Sequence, residues 1–337
     1  MRRVLLWGII ALAVLMLSAC SPAGDPLDPV SRPAAMTLPD MEEVDLAAGE
    51  KLAVVATTNI IGDVAANVGG DAVDLTVLIE IGQDPHSFEP TPQDLAAIED
   101  ADLILVNGLD LEEVLVGAIG NVAEGPVVPV SAGIELLEPS DGDDDHEGEE
   151  DHGHAADPHV WVDPNNVIVW VENIAWALSQ ADPANQAVYQ ENASAYLDEL
   201  RALDKYIRQQ AARIPEGQRK LVTDHGLYSY FADEYGFEIV GTVIPSFTST
   251  AGASAGDVAR LVGVIEEAGV PAVFIGATAT QGTRRLAEAL AAEAGSQVRV
   301  LPLVSGSLAP QGPPGDTYLG YMRYNIDQIV LGLTGQP

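Results

Sequence analysis

The sequence predicts an α/β protein of two lobes, each built on a mostly parallel sheet of four strands with flanking helices. Three observations predict it. Short apolar runs rich in Val, Ile and Leu alternate with helical patterns and fall into two sets of four. One long helical stretch separates the sets. The roughly 290 residues beyond position 49 exceed what a single hydrophobic core usually organises, and they suffice for two.

Taken in order, the chain opens with Arg2 and Arg3 ahead of an apolar run over residues 4–17, ending in Leu17-Ser18-Ala19-Cys20. The run is shorter than the roughly 20 residues that a spanning helix needs, so residues 1–19 read as a secretory signal peptide. The tetrapeptide resembles a bacterial lipobox, which implies lipidation of Cys20 and attachment to the membrane surface. Cys20 is the only cysteine among 337 residues, so no intramolecular disulfide is available. Residues 20–49, rich in proline and acidic side chains with little periodicity, read as a lipidated tether.

The first set of strands is expected at 52–56, 73–79, 103–106 and 127–130, within an amino-terminal lobe spanning 50–181. A linking helix follows at 182–214. Asp182 is suited to cap it, Pro183 fits its first position, and Tyr189, Ala193, Tyr196, Leu200, Leu203 and Ile207 recur at helical spacing before Pro215. About 30 residues of helix reach about 45 Å, enough to run along both lobes. A coiled-coil dimer is the alternative, but the repeat is short and punctuated at both ends, so a monomer is expected. The second set is expected at 221–223, 239–244, 272–275 and 298–303, in a carboxyl-terminal lobe spanning 215–337.

The formal charge of −36, from 51 acidic against 15 basic residues, argues against nucleic acid or anionic lipid as partners. Histidine usage is more telling. Of six histidines, His86 and His159 each close an Asp-Pro-His triplet, His225 lies in Thr223-Asp224-His225-Gly226, and His146, His152 and His154 punctuate an acidic run. Neutral imidazole suits zinc and related borderline cations. In Asp84-Pro85-His86 and Asp157-Pro158-His159, proline restricts the approach of the chain. Asp84 and Asp157, two positions before their histidines, and Asp224, one before His225, are carboxylates able to orient the imidazoles. In parallel sheets ligands gather beyond the carboxyl ends of the strands, and His225 follows a strand directly. The run 139–156 holds the other three histidines and eight carboxylates between residues 141 and 154. It has nothing with which to build a core, and it reads either as a weak metal-collecting arm or as a solvated insertion.

Other motifs carry less. His146-Glu147 begins no His-Glu-x-x-His pattern, since position 150 is Glu, and the glycines around 252–256 lack the ending of a phosphate loop. Trp161, Trp170 and Trp176 read as packing for the first lobe, and Tyr228 and Tyr230 read as core, with walls of the cleft as the alternative.

Together, Asp84-Pro85-His86-Ser87-Phe88-Glu89-Pro90, Asp157-Pro158-His159-Val160-Trp161-Val162-Asp163-Pro164, the helix beginning Asp182-Pro183-Ala184-Asn185 and the histidine turn before Tyr230-Phe231 resemble a known family. It is the cluster A-I, or cluster 9, family of zinc- and manganese-specific solute-binding lipoproteins of bacterial ABC importers. The resemblance runs from about Lys51 to Leu333 and includes Gly315-Asp316-Thr317-Tyr318 and Met322-Arg323-Tyr324-Asn325. It implies two Rossmann-like lobes joined by one rigid helix, with a metal in the cleft. His86 and His159 would be ligands from the first lobe and His225 from the second, and the permease and ATPase would be separate chains. The family's fourth ligand, a carboxylate, falls at Gly306 in Val304-Ser305-Gly306-Ser307-Leu308, and a Glu often found after the preceding strand is replaced by Gly276.

Three imidazoles without that carboxylate favour Zn²⁺ over the oxygen-preferring Mn²⁺, which stays as the alternative cargo. Water, Asp316 after a loop shift, or a group from the 139–156 run are candidates for the fourth position. Three histidines plus water is also a catalytic zinc pattern, so a lipid-anchored hydrolase using Asp224 or Asp84 as base is the competing reading.

Overall fold

The computed structural model describes residues 36–137, 156–295, 297–310 and 314–336. The signal peptide, Cys20 and the segment with His146, His152 and His154 lie outside the described residues.

The first sheet joins β1 (Leu52–Thr58), β2 (Val73–Ile79), β3 (Leu103–Val106) and β4 (Val127–Pro129) in the order β2-β1-β3-β4, all parallel. Its central strands are apolar on both faces because helices cover both. α1 (Asn59–Gly69) starts directly after β1, with the Thr58 hydroxyl accepting from Ile61 N. α2 (Pro92–Glu99) opens with a reciprocal cap between Thr91 and Asp94. α3 (Glu113–Val122) follows β3, and α4 (Pro164–Ala181) starts with Asp163 capping Asn165 N at 2.9 Å and Pro164 in the first turn.

The long helix has a different onset from the expected one. Residues Pro183–Asn185 form a 3-10 turn held by the Asp182 carboxylate, and the α-helix α5 (Gln186–Ala211) runs for 26 residues, about 39 Å at 1.5 Å per residue. The stripe read from the sequence is buried: Tyr189, Ala193, Tyr196, Leu200, Leu203 and Ile207, with Ala211 added. It packs on α1 and α4 from the first lobe and on α6 (Ser229–Tyr235) and α9 (Tyr318–Thr334) from the second.

The second lobe departs from a regular sheet of four. β5 (Lys220–Thr223) pairs in parallel with β6 (Glu238–Thr242), and β7 (Ala272–Gly276) with β8 (Arg299–Leu303). β5 packs beside β7 without a continuous ladder, and the β5–β6 register shifts between Leu221 and Val222. α7 (Ala255–Ala268) and α8 (Gln281–Ala294) cover this layer through Leu261, Ile265, Ala287 and Leu290.

Residues 36–49, read as tether from their composition, instead lie on the folded body. Val44 N donates to Ala181 O at 2.8 Å, and Leu38, Met41, Val44 and Leu46 pack against the main core. Their apolar side chains are few and only partly buried, yet each removes apolar area from water at about 25 cal/mol per Å², a gain that composition alone did not suggest.

Candidate metal centre

All strands within each parallel pair point their carboxyl ends the same way, and the residues singled out in the sequence collect at those ends. His86 sits in a 3-10 turn (Pro85–Ser87) after β2, set by Asp84, whose Oδ1 accepts from His86 N at 3.1 Å. His159 precedes a second 3-10 turn (Val160–Val162) leading to Asp163 and α4. His225 follows β5, and Thr223 Oγ1 donates to the His225 carbonyl at 2.9 Å.

The three imidazoles converge. Among the described residues they are the one group of potential metal donors found together, with one nitrogen from each within 4.8 Å of the others. His86 Nε2 and His159 Nε2 are 3.1 Å apart. The rings meet edge to face, with centroids separated by 5.2 Å (His86–His159), 6.0 Å (His86–His225) and 5.3 Å (His159–His225). His159 and His225 are buried and His86 is partly exposed, so the group opens to solvent on the His86 side.

Carboxylates stand behind two of the rings. Asp157 Oδ1 accepts from both His159 N at 2.9 Å and His159 Nδ1 at 2.8 Å, a pairing that places the proton on Nδ1 and turns the Nε2 lone pair toward the other imidazoles. Asp224 Oδ1 lies 3.3 Å from His225 Nδ1, an ion-pair distance whose angle misses good hydrogen-bond geometry, while Asp224 Oδ2 accepts from Gly276 N at 3.2 Å. Asp84 has a different task, holding the His86 main chain and accepting from the Ser249 hydroxyl across the cleft.

Electrostatics separate the two buried rings. Burial pushes the His159 imidazole below its ordinary value, outweighing the opposing pull of Asp157. Burial also pushes His225 down, but the neighbouring Asp224 carboxylate, helped by Asp84 and Asp157, more than reverses it, so His225 titrates above the ordinary imidazole value. Burial raises Asp224, and His225 with two backbone donors brings it below the usual carboxylate value.

Gly306 and Gly276 have definite surroundings. Gly306 has φ +65°, and a Cβ there would meet Thr278 Oγ1 at 3.3 Å and Pro85 Cδ at 3.9 Å, so its side-chain direction looks across the cleft at the loop carrying His86. Gly276 has no such room, because a Cβ would lie 1.8 Å from Ser305 Oγ and 2.8 Å from Asp224 Oδ2. The loop around Gly306 is pinned from the other lobe: Asn59 Oδ1 accepts from Leu308 N at 2.8 Å, Asn59 Nδ2 donates to Ser307 Oγ at 3.1 Å, and Gly82 N donates to Ser307 Oγ at 2.7 Å. Asp316 is exposed, adds its charge to the surroundings of Asp63, and does not join the imidazole group.

Supporting contacts come from two residues inside the quoted motifs and one outside them. Tyr230, read as core, donates through its hydroxyl to the Asp157 carbonyl at 2.9 Å, and Trp161 stacks edge-on to His159 at 5.3 Å between centroids. Asn107 Nδ2 donates to the Pro158 carbonyl at 3.1 Å. An Asn-Gly pair after a strand reads as an ordinary turn, and only the fold brings Asn107 to the histidine motif.

With that geometry in hand, comparison with known proteins is decisive. The family model described as zinc-uptake complex component A, periplasmic, matches residues 54–332. The chain belongs to this family. It is 35% identical over 288 residues to the manganese-binding lipoprotein MntA of Halalkalibacterium halodurans, covering 85% of this chain and 90% of that one. It is 33% identical over 283 residues to the iron-binding protein YfeA of Yersinia pestis, covering 84% and 86% respectively. Among solved structures, the periplasmic zinc-binding protein TroA from Treponema pallidum superimposes with a TM-score of 0.75 at 30% identity, covering 84% of this chain and 99% of that one. The protein is thus a metal-binding solute-binding component of an ABC importer and not an enzyme, which removes the hydrolase reading.

Proposed function

We propose that this chain captures Zn²⁺ with the imidazoles of His86, His159 and His225 and hands it to an ABC permease driven by a separate ATPase. The donor set carries the reading: three nitrogen donors converge, and glycine occupies position 306 where a carboxylate would be expected. Zinc accepts nitrogen at about 2.0–2.1 Å, so two tetrahedral ligands stand about 3.3 Å apart, close to the 3.1 Å between the Nε2 atoms of His86 and His159. Manganese prefers oxygen donors. Asp157 and Asp224 supply negative charge from behind the rings, so the ion is neutralised without direct carboxylate ligation. The fourth position is left to an exchangeable ligand such as water.

Mn²⁺ is the second reading, favoured by the name of the relative MntA. Competitive titration of the soluble chain beginning after Cys20 decides between them. The expected result is one tight site that prefers Zn²⁺ and is strongly weakened by His86→Ala, His159→Ala or His225→Ala. Undiminished zinc affinity in all three variants would overturn the ligand assignment, and preference for Mn²⁺ would overturn the cargo. In the same proposal, lipidation at Cys20 holds a monomer at the outer face of the cell membrane, and His146, His152 and His154 collect zinc weakly. Deleting residues 141–154 should remove only weak additional binding.

A further inference from the structure

The loop after β3 contains features that the metal centre as described does not use. Gly108, Leu109 and Asp110 all take left-handed backbone angles, with φ of 80°, 59° and 58°. For non-glycine residues this costs of order 1–3 kcal/mol each and persists only where surroundings enforce it. The enforcing contact is Glu112, a buried carboxylate whose Oε1 accepts from Thr57 Oγ1 at 2.7 Å and from Asn107 N at 2.8 Å, closing the loop onto its own first residue and onto β1. Asn107 is fully buried, and both amide protons are committed, one to the Gly108 carbonyl at 2.7 Å and one to the Pro158 carbonyl at 3.1 Å. Pro158 is the residue before His159.

We infer that Asn107 and Glu112 are positioning residues for the metal centre: Glu112 holds the strained loop shut, and Asn107, so held, fixes the Pro158 carbonyl and thereby the placement of His159. Proline cannot anchor its own nitrogen through a hydrogen bond, so its carbonyl is the nearest main-chain handle on the imidazole from this side. From the opposite side the Tyr230 hydroxyl grips the Asp157 carbonyl at 2.9 Å. The Asp157-Pro158 peptides are therefore clamped between the two lobes. Buried acceptors also cluster along this route, since Glu112 Oε2, Asn107 Oδ1 and Asp157 Oδ2 have no donor. Burial pushes the Glu112 carboxyl up despite the bonds from Thr57 and Asn107.

This inference rests on His159 being a metal ligand, so the test reads His159 with and without metal. In the metal-free soluble chain, long-range ¹H–¹⁵N spectra should give His159 a single Nδ1-protonated tautomer. Asn107→Asp keeps the shape but removes the donor, and it should broaden or shift the His159 signals while leaving those of His225 in place. With Co²⁺ as spectroscopic probe, the same variant should change the visible absorption band and lower Co²⁺ and Zn²⁺ affinity roughly 10- to 100-fold, the usual effect of losing an outer hydrogen bond. Glu112→Gln, which keeps both acceptor contacts and supplies an N–H, should retain the native spectra, whereas Glu112→Ala should match Asn107→Asp. A folded Asn107→Asp variant with unchanged His159 signals would overturn the inference even if the chain proved to bind another metal. If Asn107→Asp does not fold, unchanged His159 signals in Glu112→Ala would do so equally. Loss of metal binding in the wild-type chain with intact His159 coupling would instead count against the proposed function.

Discussion

Asp224 bridges His225 and Gly276, with one carboxylate oxygen 3.3 Å from the His225 Nδ1 and the other accepting from Gly276 N at 3.2 Å. The contact joins the ends of β5 and β7 where no continuous ladder does, and it raises the affinity for a proton of one imidazole in the candidate metal centre.

Metal binding should therefore be linked to pH through His225. Burial lowers this ring and Asp224 more than compensates, so the metal-free protein holds a proton there above the ordinary imidazole range. The proton stabilises the metal-free fold at low pH, and that contribution is lost as pH rises through the elevated folded value. Zinc must displace it, so apparent affinity should fall by about tenfold per pH unit below that value and level off above it. Asp224→Asn should move the levelling point to lower pH while weakening binding on the plateau. Competition titrations across pH check both, and an unmoved levelling point would count against the assignment.

Gly306→Asp should shift cargo preference. Asp is among the residues that tolerate left-handed angles, and a Cβ at φ +65° would meet Thr278 Oγ1 at 3.3 Å and approach Pro85 Cδ at 3.9 Å, on the loop that carries His86. The expected outcome is a gain in Mn²⁺ affinity of at least about tenfold relative to Zn²⁺, as an oxygen donor joins the three nitrogens. Calorimetric competition between the two ions measures it.

Gly276→Ala should be costly, since its methyl would fall 1.8 Å from Ser305 Oγ and 2.8 Å from Asp224 Oδ2. Overpacking of this kind usually costs about 1–3 kcal/mol. Zinc affinity should fall with it as Asp224 is pushed from His225. Adding Ser305→Gly should recover much of the stability in denaturant titrations, and failure of that rescue would locate the strain elsewhere.

Asp163 predicts a separate pH effect on stability. Burial pushes its carboxyl up to about 6, against the Asn165 backbone donor and with Glu234 and Asp204 adding to the rise. A raised carboxyl stabilises the fold below its unfolded value and loses that contribution as pH rises through about 6, by up to ~3 kcal/mol at 1.36 kcal/mol per pH unit. Asp163→Asn keeps the cap on α4 and should flatten this part of the profile. Comparing the melting temperatures of the two proteins from about pH 3.5 to 7, which spans the ordinary carboxyl value of 3.8 and the raised value of about 6, measures it as the difference between the two profiles.

His86 and His159 were legible because Asp-Pro-His is a local pattern that leads into a 3-10 turn in both places, and the stripe on α5 was legible because helical spacing and burial share one period. Less was legible where the cause is distant in sequence. Asn107 meets Pro158 across 51 positions, so its role is invisible in an Asn-Gly turn. Gly276 looked like the loss of a Glu, but Ser305 and Asp224 fill the space a side chain would need. The second layer separates between β5 and β7, and the β5–β6 pair itself shifts register between Leu221 and Val222, neither of which any alternation of apolar residues announces. Residues 36–49 misled by composition, since Leu38, Met41, Val44 and Leu46 are sparse but each finds a place on the core.

The pinning of the Gly306 loop bears on discharge. Asn59 and Gly82 from one lobe hold Ser307 and Leu308 from the other, so parting the lobes at this edge costs those bonds before the imidazoles separate. With the cargo among the three imidazoles, as proposed, the latch would sit beside it, and a receiving transporter that pries at the rim would work on both at once. On that proposal release would be a mechanical act of the receiver, with the tightness of capture and the ease of unloading adjustable at different residues.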